Sequence, residues 1–162
     1  MMKIFLTAAA LIALPLAAAS AQAPIPAATY VAKAGASDLY EKTSSQLVLA
    51  TTANPKLKSF AHMMITDHTK STAEVKAAAT GAHVRVAPPK LDAMGARNVA
   101  ALRAARGTAR DRLYVTQQKA AHEKALALQQ GYAAHGTVPG LKRVAANIVP
   151  VVKTHIAELR TM

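Results

Sequence analysis

Apolar residues recur every three or four positions along most of the chain, the spacing that lines side chains up on one stripe of an α-helix. Over residues 28–53 that stripe is Tyr30, Ala34, Ser37, Glu41, Ser44 and Val48. Asn54-Pro55 follows. The residue before a proline is pushed out of the helical region, while proline itself suits the first helical position, so one helix ends here and another begins. The second helix is expected over 55–80, with Leu57, Phe60, Met64, His68, Val75 and Ala79 in register and Gly81 as a left-handed cap. Residues 82–90 carry Val84, Val86, Pro88 and Pro89 and read as an extended loop. A short helix over Leu91–Ala105, closed by Gly107, comes next. A third long helix fits 108–135, with Thr108 as its cap, Gly136 as its stop and a stripe of Asp111, Val115, Gln118, His122, Leu126 and Gln129. The fourth fits 138–160, with Leu141, Ala145, Ile148, Val152, His155 and Leu159 aligned. Pro150 cannot donate to the Ala146 carbonyl and is expected to kink it. The pattern predicts an all-α four-helix bundle with a short extra helix in the second-to-third helix connection.

The amino terminus departs from this periodicity. Lys3, an apolar run from Ile4 to Leu14 and the small-residue site Ala19-Ser20-Ala21 have the order of a secretory signal peptide. The run is too short to span a bilayer, which takes ~20 residues. The expected organisation is therefore a signal peptide over 1–21, a linker over 22–27 and the bundle over 28–162, exported and soluble in the periplasm or peripheral to the envelope membranes.

Composition then limits the chemistry. The 162 residues include no cysteine, which excludes disulfides, thiolate metal ligation, a cysteine nucleophile and an acylated cysteine anchor. Any metal must be held by histidine or carboxylate. The serines lie on long helices with no nucleophile elbow, which excludes a serine hydrolase of that type. The net charge is +12, or +11 once Lys3 is removed, and the exported location points it toward anionic lipid or lipopolysaccharide rather than nucleic acid. Lys119, Lys124, Arg103, Arg106, Arg110, Arg112, Lys142, Arg143, Lys153 and Arg160 make up the expected basic surface.

Near mid-bundle each of the four helices carries one polar residue able to bind a metal: Glu41, His68, His122 and His155. Glu41 lies 13 residues before Asn54 and His68 lies 14 after it, so the two share a height in an antiparallel pair. His122 and His155 lie 14 and 18 residues from Gly136 and Thr137, respectively, a mismatch of only ~6 Å at 1.5 Å per residue. Two readings follow. In one, the four residues bind a divalent transition metal ion, with Asp67 or Asp111 as a fifth ligand or orienting the imidazoles. In the other, neutral histidines and these carboxylates form a hydrogen-bonded polar layer without metal. His62, His83 and His135 fall outside the stripes.

The segments Gly35-Ala36-Ser37-Asp38-Leu39-Tyr40-Glu41, Asn54-Pro55 with Phe60-Ala61, Asp67-His68-Thr69, Asp111-Arg112-Leu113-Tyr114, Ala121-His122 and Pro150 with His155 occur in the order seen in the domain of unknown function family DUF4142, which the chain resembles. The resemblance implies an exported, ferritin-like four-helix bundle with no settled biochemical activity, with Glu41, Asp67, His68, Asp111, His122 and His155 at its recurring polar positions. Many members carry a second glutamate where this chain has Thr43. No Glu-x-x-His occurs, so a di-iron carboxylate centre of the ferritin type is not expected. Two functions follow: a metal-binding protein of the envelope, or a non-enzymatic module that docks on anionic envelope components through its basic surface.

Overall fold

The computed structural model describes residues 24–162, so the expected signal peptide over 1–21 and the first part of the linker lie outside the described residues. Five helices follow in order: α1 (Ala27–Leu49), α2 (Pro55–Gly81), α3 (Ala93–Ala104), α4 (Gly107–His135) and α5 (Pro139–Arg160). The four long helices form a ring in the order α1, α2, α5, α4, and α3 rests across α1 and α4. The result is an all-α bundle. Neighbours in the ring run antiparallel, as shown by Lys56 Nζ at the start of α2 donating to the Thr161 carbonyl beyond α5 (2.9 Å) and by Tyr30 in α1 donating to Gln129 near the end of α4 (2.7 Å).

The helix ends follow local chemistry. Asn54 Oδ1 accepts from the backbone amides of Lys56 and Leu57, at 3.0 and 3.3 Å, and Pro55 occupies the first turn of α2. α1 stops at Leu49, earlier than the spacing suggests, because Thr52 commits its hydroxyl to the turn. It accepts from the Asn54 amide at 3.1 Å and donates to Asp111 at 2.8 Å. Asp92 caps α3 by accepting from the Gly95 amide at 2.6 Å.

Three expected caps differ in detail. Gly81 is the last residue of α2, and the left-handed position is His83 (φ 55°). Thr108 does not cap α4, which starts one residue earlier at Gly107 with φ +52°, a conformation suited to glycine. Gly136 does end α4, but for space rather than handedness: a Cβ there would stand 2.5 Å from the Tyr132 carbonyl oxygen. α5 continues through Pro150, which lies on its exposed face with Ala146, so the carbonyl that proline leaves unpaired is on the solvent side.

A polar layer separates the two larger apolar clusters of the core, and a third, Tyr40 with Val99 and Ala121, lies under α3. One cluster joins Tyr30, Val31, Ala34, Val75, Ala79, Tyr132, Leu141, Ile148 and Val152. The other joins Val48, Leu57, Phe60, Met64, Leu102, Tyr114 and Leu159. On the four long helices Glu41, His68, His122 and His155 fall between members of these two clusters.

Candidate metal centre

Each histidine reaches the layer because the apolar residues one or two turns away on its own helix hold that face inward. His68 lies between Met64 and Val75 on α2, His122 between Tyr114 and Ala125 on α4, and His155 between Val152 and Leu159 on α5, all six neighbours being buried. His122 is fully buried, His155 is 1% exposed and His68 is 5% exposed. Phe60 forms one wall, its ring centroid 6.4 Å from those of both His122 and His155.

One nitrogen of each ring is tied to a fixed acceptor. His68 Nδ1 lies 2.8 Å from Asp38 Oδ1, His155 Nε2 lies 2.9 Å from Asp67 Oδ2, and His122 Nδ1 lies 2.9 Å from the Gln118 carbonyl. A carboxylate or carbonyl can only accept, so in each neutral ring the tied nitrogen carries the proton and the other keeps its lone pair. The nitrogens left over are His68 Nε2, His122 Nε2 and His155 Nδ1. His68 Nε2 is buried without a hydrogen-bond partner, and His122 Nε2 faces His155 Nδ1 at 3.3 Å. One nitrogen from each of the three rings lies within 4.8 Å of the other two. Between neutral rings held this way, the 3.3 Å contact joins two lone pairs and is not a hydrogen bond. It does match the ~3.4 Å edge of a tetrahedron with metal–nitrogen bonds of about 2.0 to 2.1 Å.

The electrostatics hold His122 and His155 neutral. Burial, reinforced by repulsion from His68 and His155, pulls His122 down to about 3. Burial also pulls His155 down, partly offset by its bond to Asp67. Burial acts on His68 in the same sense, but its bond to Asp38 and the charges of Glu41, Asp38 and Asp67 outweigh it and raise its pKa. Glu41 is fully buried, neither carboxyl oxygen has a hydrogen-bond partner, and burial lifts its pKa to about 7.

The structure thus brings together three of the four residues expected from the sequence. Glu41 is not one of the converging group; its Oε1 lies 3.8 Å from His122 Nδ1, the nitrogen tied to the Gln118 carbonyl. Asp67 meets an imidazole, that of His155. Asp111 does not, because it bonds Thr52 at the α1–α2 turn, 11 residues and ~16 Å along α4 from His122. The aspartate in the equivalent role for His68 is Asp38, which periodicity passed over in favour of Glu41 and Ser37. Asp38 lies four residues after Ala34 and three before Glu41, so the same stripe contains it. His62, His83 and His135 are exposed. Arg110, expected on the basic surface, is buried, donating to the Ala105 carbonyl at 2.9 Å and to Thr51 at 2.8 Å.

The chain belongs to the domain of unknown function family DUF4142, which matches it over residues 13–162. Among curated proteins, none matches. A DUF305 fragment from Deinococcus radiodurans superposes with a TM-score of 0.73 at 15% identity, covering 86% of this chain and 97% of the fragment. A DUF305 protein from Streptomyces coelicolor, described as secreted, superposes with a TM-score of 0.66 at 15% identity over 83% of this chain and 88% of its own. At that identity the likeness shows the helical fold alone. No helix among the described residues is long and apolar enough to cross a membrane.

Proposed function

We propose that this DUF4142 protein is an exported metal-binding protein that holds one divalent transition metal ion through His68, His122 and His155. The observation that carries this reading is that one nitrogen from each of the three rings lies within 4.8 Å of the other two, while one nitrogen of each ring is tied to Asp38, Asp67 or the Gln118 carbonyl. Outer acceptors of this kind fix the tautomer and orientation of metal-binding imidazoles. A histidine layer serving only as packing would spend its lone pairs on donors, because an unpaired buried acceptor costs about 1 to 3 kcal/mol. Imidazole ligands suit zinc, copper, nickel and iron.

Export rests on the amino-terminal pattern of Lys3, the apolar run and Ala19-Ser20-Ala21, and agrees with the secreted description of the Streptomyces coelicolor protein of the same fold. The basic exterior is the place to look for an anionic envelope partner, with Arg110 removed from it.

Elemental analysis of the purified protein, followed by chelation and thermal unfolding with and without added metal, tests the metal reading. One transition metal per chain, or a melting temperature that rises with zinc, copper, nickel or iron, is the expected result. A protein that carries no metal and gains no stability from any of the four would remove it.

A further inference from the structure

A cleft of about 190 Å³ opens between α2 and α5 and leads to the histidine layer. His68 and His155 form part of its wall together with Asp67, Ser71, Glu74 and Ile148, whereas His122 does not line it. The three histidines therefore approach the ion from the bundle side and leave the cleft side to something else. Glu41 does not fill that side, since it does not line the cleft.

Ser71 supplies the second observation. It lies one turn after His68 on the same face of α2, is 7% exposed, and its hydroxyl has no hydrogen-bond partner although it lines the cleft. A serine or threonine within a helix can return its hydroxyl to the carbonyl four residues back. Thr69 and Thr72 do so here, to Ile65 at 2.6 Å and to His68 at 2.7 Å. Ser71 does not, so it is free to donate to a group bound in the cleft.

The open position and the Ser71 donor select that group. Three histidine nitrogens leave one position of a tetrahedron unfilled. A small anion fills it and accepts from the Ser71 hydroxyl. Bulkier ligands are excluded by the cleft's size and by Ile148 and Val152 in its wall.

We infer that the metal proposed above keeps one open coordination position facing the α2–α5 cleft, and that this position takes an exchangeable small monoanion, or water in its absence, hydrogen-bonded by Ser71. The inference rests on the metal reading and assigns the site to the open, three-histidine class rather than to the closed structural class with four protein ligands. It makes the cleft a ligand-binding site and not only a route for the ion.

Cobalt(II), whose visible spectrum reports its ligands, separates the two ideas. The chelator-treated full chain is loaded with cobalt and titrated with azide, and the same is done with Ser71→Ala. The expected result is an intense four-coordinate cobalt band that azide shifts with saturation at one per metal. Ser71→Ala should bind cobalt as before and azide roughly fivefold more weakly, the worth of one hydrogen bond. A cobalt protein whose spectrum ignores azide would overturn the open position while leaving metal binding intact. Equal azide affinity in both proteins would overturn the cleft-side placement. Failure to bind cobalt would remove both readings.

Discussion

The core contains two kinds of buried polar group, and they are treated differently. Toward the ends of the bundle and alongside α3, hydroxyls and amides are paired: Tyr30 with Gln129 at 2.7 Å, Ser45 with Tyr114 at 2.7 Å, and Tyr40 with Gln117 at 3.2 Å. Tyr30 also stacks on Tyr132 with ring centroids 3.9 Å apart. At the histidine level, Glu41, His68 Nε2, Ser71 and Gln118 Oε1 have no hydrogen-bond partner, whereas in the tyrosine regions the Tyr132 hydroxyl alone among the described residues lacks one. A chain able to satisfy three tyrosines across the same helices does not leave four neighbouring groups unpaired for want of partners. Pairing in the tyrosine regions serves packing and alignment. Non-pairing at the histidine level keeps lone pairs and a hydroxyl available for a ligand.

Breaking the histidine level should have the largest effect. His122→Ala removes one of the three ligands, and zinc affinity measured by titration calorimetry is expected to fall by more than the ~10 to 100-fold that loss of an outer partner costs. Wild-type affinity in this variant would show that the three nitrogens do not act together.

Glu41 sharpens the contrast through pH. Its folded pKa of about 7 lies above the ordinary 4.5, so the fold favours its protonated form. The stabilisation is complete below 4.5 and is lost as pH rises through 7. Glu41→Gln mimics the protonated carboxyl permanently. In metal-free protein its stability advantage over the parent should therefore grow by a few kcal/mol between those two pH values, read by urea unfolding at each pH. His122, whose lowered pKa works in the opposite sense at acid pH, is present in both proteins and drops out of the difference. A constant difference across the range would show that Glu41 titrates normally.

Asp38→Ala frees His68 Nδ1 from its acceptor, and metal affinity should drop roughly 10 to 100-fold. If affinity is unchanged, the aspartate only packs. Tyr30→Phe tests the other side of the comparison. It strands the Gln129 oxygen and should cost about 1 to 2 kcal/mol in urea unfolding, with zinc affinity unchanged. A loss of affinity in this variant would mean that the two regions are not independent. His62→Ala, on an exposed position, should alter neither stability by more than ~0.5 kcal/mol nor zinc binding.

Much of this was legible in the chain. Asn54-Pro55 places the α1–α2 turn, the apolar stripes of α2 and α5 put His68 and His155 inward, and counting residues from each turn puts His122 level with them. These features depend on helical repeat and rise, which are the same in any α-helix. Less legible was α4, where Ala121 and Ala125 are buried while Val115 and Leu126 are only partly so. In an alanine-rich helix small residues give a weak signal, and the packing of α1 against α4 sets the rotation. Asp38 was missed for a related reason, since Glu41 accounted for the same stripe, and only the approach of α2 shows which carboxylate meets an imidazole.

By itself, the sequence determined the helices, the level at which the polar residues meet, and the absence of thiol ligands, because each depends on local periodicity or composition. Tertiary structure decided which nitrogen of each histidine is tied, that Glu41 stands outside the converging trio, that Asp111 belongs to a turn, and that a cleft reaches two of the three histidines. Those are relations of angle and distance between side chains on different helices. They are set by how the helices rotate and cross when they pack, and no spacing within a single helix encodes them.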